Sequence, residues 1–295
     1  MNTYFSTFIP GLGAVIKNQL EKQLENFNLE LLLDGLIVYS SDSDIEKIKS
    51  LKFLNNSFIK LDPQDKIPVK LGQTFRVVFS KENELVKVNN ERLTKIENKI
   101  AKLNNLKIDR ANPDFEFWFF KRSEGHKFTG VRITKHPDYK TILAKGQLRP
   151  KLADILCLLS NPQKFDVVLD PFAGSGAIGV ARENYSYTNI ISEDLKTGFD
   201  ATNMVKISDQ SIDKIITDPP WGISMGLNLN LPDFYHKMLS EFYRVLTPNG
   251  LAVILMGNKE VFKNALDRFS KFKLEKQYNI LVSGKKAAVY KLTIN

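Results

Sequence analysis

Val167-Val168-Leu169-Asp170-Pro171-Phe172-Ala173-Gly174-Ser175-Gly176-Ala177-Ile178-Gly179 passes from a short apolar run through a glycine-bearing turn into small and aliphatic residues. The apolar run reads as a buried strand closing at Asp170, and the residues after Gly176 read as the start of a helix. Glycines let a backbone approach a bound molecule closely, and the N-terminus of the following helix offers unpaired N–H groups. A strand, glycine turn and helix in this order is the cofactor-binding corner of a doubly wound α/β sheet.

Working outward, strand and helix signals alternate from Gln147 onward. Pro150 opens a helix through Leu152, Ile155, Leu156 and Leu159, where its missing N–H costs nothing. Strand signals follow at Ile190-Ile191, from Ile212 to Thr217 and from Leu251 to Met256, with a helix from Phe234 to Leu246 ended by Pro248-Asn249-Gly250. Such alternation predicts a mainly parallel sheet. The stretch from Tyr278 to Ile294 departs from it and reads as a terminal hairpin around Ser283-Gly284-Lys285.

The front half is organised differently. Tyr4 to Ile9 reads as a strand, Pro10 to Gly13 as a turn, and Val15, Ile16, Leu20 and Leu24 recur at helical spacing. A second strand is expected at Leu36 to Tyr39 and a helix through Ile45, Ile48 and Leu51. After Pro63 the readings are a strand at Phe75 to Phe79, an amphipathic helix from Arg92 to Leu103, and strands at Phe115 to Phe120 and Gly130 to Thr134. Three domains are expected, at 1–60, 61–145 and 146–295.

Two cofactors compete for the glycine turn. Gly174-x-Gly176-x-x-Gly179 satisfies the dinucleotide fingerprint literally, which would suit a nicotinamide oxidoreductase. A dinucleotide site places its glycines straight after the strand to cradle pyrophosphate, whereas here Asp170-Pro171-Phe172 intervenes and its carboxylate repels phosphate. A carboxylate suits a cationic amino-acid group. S-adenosylmethionine, which carries an ammonium and a sulfonium and no phosphate, is therefore the expected cofactor, held by Asp170, Pro171, Phe172, Ala173, Gly174, Ser175 and Gly176. Glu193 at the end of the next strand, with Asp194 as its alternative, is placed to accept ribose hydroxyls. Asp200-Ala201 opens the following connection and offers a carboxylate for the adenine amino group.

The sharpest signal is Asp218-Pro219-Pro220-Trp221-Gly222, directly after the strand that ends at Thr217. Two prolines cannot continue a sheet interior, so the chain turns outward at the ligand-binding end of that strand. An exocyclic base amine is a poor nucleophile because its lone pair is delocalised into the ring. Asp218 and the Pro219 carbonyl can each accept one of its N–H groups, Pro220 stiffens the turn, and Trp221 offers a stacking face worth about 1–3 kcal/mol. Ser224 to Leu231 is expected to be a loop over this site.

Charge supplies the partner. The chain of 295 residues carries a formal net charge of +9. Residues 1–150 hold 25 Lys and Arg against 18 Asp and Glu, and residues 151–295 hold 17 against 15. The excess is densest in Lys121, Arg122, Lys127, Arg132, Lys135, Lys140, Lys145 and Arg149, opposed only by Glu124 and Asp138. A basic front on a near-neutral back predicts a nucleic-acid partner. One cysteine, Cys157, and three scattered histidines exclude a disulfide framework and give no metal site. Neither a membrane span nor a signal peptide is read, and with a lone cysteine a reducing, cytoplasmic setting is expected; the oligomeric state is not read, a monomer being favoured.

These motifs together resemble class I methyltransferases acting on exocyclic amines, and more narrowly the THUMP-domain tRNA guanine-N2 methyltransferases. The narrower resemblance rests on Tyr4-Phe5 through Pro10-Gly11-Leu12, on Asp109 to Leu148, and on Leu148-Arg149-Pro150-Lys151-Leu152-Ala153. It implies an N-terminal ferredoxin-like domain, a THUMP domain that docks the acceptor end of tRNA, and a Rossmann-like methyltransferase domain with a seven-stranded, mostly parallel sheet. It also implies that Asp170, Gly174, Gly176, Glu193 and Asp200 bind S-adenosylmethionine and that Asp218 to Trp221 surround the target amine. The family often has Tyr where Trp221 stands, and the Trp form is typical of adenine-N6 methyltransferases. The expected reaction is methyl transfer to guanine N2 in tRNA. The alternatives are guanine N2 in ribosomal RNA, adenine N6 or cytosine N4, a nicotinamide oxidoreductase, or a non-catalytic RNA-binding protein.

Overall fold

The computed structural model describes residues 2–134, 147–222, 230–282 and 284–295. Two compact units emerge, one of residues 1–8 and 13–139 and one of residues 9–12 and 140–295. Lys135, Lys140 and Lys145, and most of the expected loop from Ser224, lie outside the described residues.

In the first unit the order is β1 (Asn2–Thr7), α1 (Gly13–Gln23), β2 (Asn28–Leu33), β3 (Leu36–Ser41), α2 (Ile45–Ser50) and β4 (Asn56–Lys60). Then come β5 (Thr74–Lys81), β6 (Glu84–Leu85), α3 (Asn90–Asn104), β7 (Lys107–Ile108), β8 (Phe115–Lys121) and β9 (Lys127–Arg132). All nine strands share one sheet in the order β2-β3-β1-β4-β9-β8-β5-β6, with β7 pairing β5. Strand β8 shows why it is central: the pleat sends alternate residues to opposite faces, and both faces are apolar. Phe115, Phe117 and Phe119 pack with Phe75, Ile96 and Ile100 on one side, while Trp118 and Phe120 pack with Phe5, Phe58 and Phe128 on the other.

The second unit follows the order α4 (Pro150–Leu159), β10 (Val167–Asp170), α5 (Ala177–Arg182), β11 (Asn189–Ser192) and β12 (Ile212–Thr217). It ends with α6 (Leu231–Val245), β13 (Leu246–Met256), α7 (Lys259–Asp267), β14 (Phe272–Val282) and β15 (Lys285–Ile294). Its sheet runs β11-β10-β12-β13-β15-β14, parallel from β11 to β13 and antiparallel through the terminal hairpin. The mixed α/β architecture with a mostly parallel sheet is thus the one expected.

Two details differ. The sheet has six strands among the described residues and not seven. Between β11 and β12 the chain instead makes a 3-10 turn at Leu195–Thr197 capped by Asp194, a left-handed Gly198 and a turn closed by Asp200 onto Thr202. Side chains such as Asp and Thr bond their own backbone here in place of a ladder. Pro248-Asn249-Gly250 does not end a helix directly: α6 stops at Val245, and these residues form an irregularity within β13, where pairing shifts from Ile212–Leu246 to Lys214–Leu251.

Successive strands lie on opposite sides of β10: β11 on one flank and β12 on the other. That is the topological switch point, and the crevice beyond the carboxyl ends of β10 and β12 is where such sheets take ligands.

Candidate active site

Asp170 closes β10 and is 1% exposed. Its Oδ1 accepts the Thr217 hydroxyl at 2.7 Å and the Phe172 N–H at 3.2 Å. Its Oδ2 is buried with no partner. Burial pushes this carboxyl up to about 7, against the two hydrogen bonds, with the Asp194 charge adding to the rise. A buried carboxylate with one idle oxygen is a receptor for a cationic donor.

The turn beyond it is shaped by two left-handed glycines, Gly174 at φ +52° and Gly176 at +75°, the latter capping α5. A Cβ at Gly176 would meet nothing within 4 Å, so glycine is required there by the backbone angle and not by crowding. Pro171 is buried, Phe172 and Ala173 are half-buried, and Gly174 and Ser175 are exposed. Phe172 leans on Phe234 of α6, with ring centroids 5.9 Å apart.

Glu193 and Asp194 separate into different roles. Asp194 caps the 3-10 turn, accepting the Lys196 N–H at 2.7 Å. Glu193 is tied by its backbone to the glycine turn, its carbonyl accepting from the Ala173 N–H at 2.9 Å, and its carboxylate takes the Thr197 hydroxyl at 2.6 Å. Asp200 is exposed and accepts from the Thr202 N–H and hydroxyl, and Ala201 behind it is buried.

On the neighbouring strand Asp218 follows Thr217, so the two motifs meet through the Asp170–Thr217 hydrogen bond. Asp218 Oδ1 accepts the Trp221 indole N–H at 2.8 Å. Burial raises this carboxyl also to about 7, the indole bond opposing it and the Asp170 charge reinforcing it. Tyr235 of α6, fully buried, donates its hydroxyl to the Pro220 carbonyl at 2.9 Å. The Pro219 carbonyl has no hydrogen-bond partner among the described residues. The Trp221 ring lies against the backbone of Gly257, where a Cβ would stand 2.0 Å from Cε3. Tyr235 and Gly257 were not among the residues singled out from the sequence. Tyr235 sits on a helix face whose other members are core, and Gly257 follows a strand with no motif around it.

The basic residues do not form one set. Lys121, Lys127 and Arg149 are exposed, the last as N-cap of α4. Lys81, Lys121 and Lys127 stand in one row across β5, β8 and β9, like charges directly opposite one another. Such a row is unfavourable on its own and gains from an anion. Arg122, by contrast, is buried, and its guanidinium is spent on Asn83, the Asp34 carbonyl and Glu124. Arg132 is mostly covered, paired with Glu116 at 3.1 Å and lying over Trp118. Cys157 is buried and its thiol pushed up to about 12, which removes it as a nucleophile. Among the described residues no cluster of three His, Cys, Asp or Glu could hold a metal ion, and no helix is long and apolar enough to cross a membrane.

The UPF0020 family model, described as RMKL-like, methyltransferase domain, matches residues 137–182 and 179–288, more than half of the chain. The chain belongs to this family. A Methanocaldococcus jannaschii protein named tRNA (guanine(6)-N2)-methyltransferase is 20% identical to this RMKL-like methyltransferase over 383 aligned positions, covering 99% of the chain and 100% of that protein. The human tRNA (guanine(6)-N(2))-methyltransferase THUMP3 is 28% identical over 226 residues, covering 63% of the chain and 44% of the human protein. The chain therefore spans under half the length of its human relative. Among solved structures, TrmN from Thermus thermophilus superposes with a TM-score of 0.77 over 100% of both chains at 20% identity, a likeness of fold.

Proposed function

We propose that this protein transfers a methyl group from S-adenosylmethionine to the exocyclic N2 of a guanosine in tRNA. One observation carries the reading: Asp170, with an idle buried oxygen, and Asp218, at the head of a diproline turn, close adjacent strands at the switch point and are linked through Thr217. The names of the full-length archaeal relative and of the human one support tRNA and guanine N2.

The residues present fit the cofactor. Asp170 Oδ2 is suited to its ammonium, the open backbone at Gly174 and Gly176 to its amino-acid end, Glu193 to the ribose hydroxyls, and Asp200 to the adenine amino group. When bound, the cofactor supplies a methyl group on a positively charged sulfur. Asp218 and the Pro219 carbonyl each accept one N–H of the target amine, which keeps its lone pair out of the ring and free to attack. The amine proton then leaves to Asp218 or to water. Holding the amine in line supplies most of the acceleration, on the order of 7–11 kcal/mol. The part of half-buried Trp221 not resting on Gly257 stacks on the flipped-out base.

The front unit is proposed to hold the RNA through Lys121 and Lys127, and to be divided near residue 60 into ferredoxin-like and THUMP parts. A cytoplasmic location and a monomeric state belong to the same proposal. The test is methyl acceptance by unmodified tRNA, ribosomal RNA and duplex DNA side by side. Transfer to tRNA alone supports the reading, and transfer to DNA alone overturns the substrate class.

A further inference from the structure

Trp221 is constrained more tightly than a stacking platform needs to be. Its indole N–H is committed to Asp218 Oδ1 at 2.8 Å. One ring face rests on the Gly257 backbone, where the ideal Cβ position lies 2.0, 2.3 and 2.7 Å from Cε3, Cδ2 and Cζ3. Gly257 follows β13, the strand paired with β12, so the seat of the indole is fixed by the sheet itself. On the other side of the turn Tyr235 holds the Pro220 carbonyl. The loop is therefore pinned at both ends, with Asp218 between a strand terminus and an immobilised donor.

We infer that Trp221 is a positioning residue that acts through Asp218: its N–H fixes one carboxylate oxygen, leaves the other for the target amine, and favours the ionised acid. This rests on the function proposed above. A donor to a carboxylate stabilises the charged form, and more so where the group is withdrawn from water, as half-buried Asp218 is. The neighbouring Asp170 on β10 acts in the opposite sense, and Asp194, beyond β11, bears on Asp170. The indole is thus the counterweight that keeps Asp218 able to accept a hydrogen bond near neutral pH. Phenylalanine or tyrosine at the same position would keep a ring for the base and lose the N–H.

The indole N–H gives a first readout that is independent of turnover. Trp118 and Trp221 are the two tryptophans, so a Trp118→Phe protein leaves one indole N–H to follow by nitrogen-15 NMR. Its proton shift is expected to titrate with pH in the neutral range, to keep titrating at a lower midpoint in Asp170→Asn, and to stop titrating in Asp218→Asn. A flat response, or a titration that survives Asp218→Asn, overturns the inference whether or not the protein methylates tRNA. In the activity assay Trp221→Phe and Trp221→Tyr are each expected to lower kcat roughly tenfold at pH 7. That deficit should shrink as pH rises to about 8.5, because alkali ionises Asp218 without the indole's help. A loss confined to KM, with a pH profile parallel to wild type, would return Trp221 to a stacking role alone. Absence of methyl transfer to any RNA, with the indole titration intact, would sink the proposed function and with it the role toward the amine, leaving only the indole's hold on Asp218.

Discussion

Thr217 donates its hydroxyl to Asp170 across 2.7 Å in a fully buried hydrogen bond between the ends of two adjacent parallel strands. One residue later stands Asp218. The acid proposed for the cofactor's charged end and the acid proposed for the target amine are thereby set by a single pair of strands.

Thr217→Val removes the donor while keeping the shape of the strand end. With one stabilising bond gone, Asp170 should resist ionisation further, and affinity for S-adenosylmethionine should fall about tenfold, the worth of roughly 1.4 kcal/mol. Isothermal titration calorimetry checks this, and unchanged affinity would mean that Asp170 does not hold the cofactor.

Both carboxyls are raised to about 7, and the sign of the consequence is fixed by linkage. A raised acid stabilises the fold fully below its unfolded value of about 4, and that contribution is lost as pH rises through about 7. Asp170→Asn, which cannot ionise, should therefore gain in melting temperature over wild type as pH goes from 5 to 8, both proteins being free of cofactor. The same variant should lose cofactor binding. A gap in melting temperature that stays constant with pH would contradict the burial argument.

Asp218→Ala should lower turnover by roughly two to three orders of magnitude, as for loss of a transition-state hydrogen-bonding group, with little effect on cofactor affinity. Single-turnover kinetics at saturating cofactor separates the two effects.

Tyr235→Phe leaves the Pro220 carbonyl without its donor and costs about 1 kcal/mol of stability. Turnover should fall several-fold because the diproline turn loses its outer anchor. Denaturant unfolding and kcat together check both.

Replacing Lys121 and Lys127 by Glu should weaken tRNA binding more than tenfold and flatten its dependence on log salt by roughly 1 to 2 units. Arg122→Ala should act differently, destabilising the first unit by about 2–3 kcal/mol through the partners it abandons and leaving the salt slope of the folded protein unchanged. Filter binding across a salt series distinguishes surface charge from structural charge.

The strand at Val167 to Asp170 and the diproline turn after Thr217 were legible in the sequence because local chemistry dictates them: glycine at positive φ, and prolines that cannot enter a ladder. The front helices were legible from their period, as at Arg92 to Leu103 within α3. Strands β2 and β4 were not, since Asn28–Leu33 packs leucines on neighbouring positions and Asn56–Lys60 is only five residues long. The expected seventh strand came from family resemblance and had no apolar run behind it between Asp194 and Ser211. Arg122 was misplaced for a different reason: a charge count cannot tell a guanidinium that faces solvent from one folded under a hairpin. Tyr235 and Gly257 serve the site through partners far along the chain, a backbone carbonyl 15 residues away and an indole, and no local pattern announces either.

Asp218 and its turn are proposed to present a guanine N2 to the cofactor's methyl group. The most direct measurement is to incubate wild type and Asp218→Ala with methyl-labelled S-adenosylmethionine and unmodified tRNA, digest to nucleosides and separate them. Label is expected in N2-methylguanosine from wild type, with a drop of at least a hundredfold from the variant. Label in N6-methyladenosine, or equal label from both proteins, would contradict it.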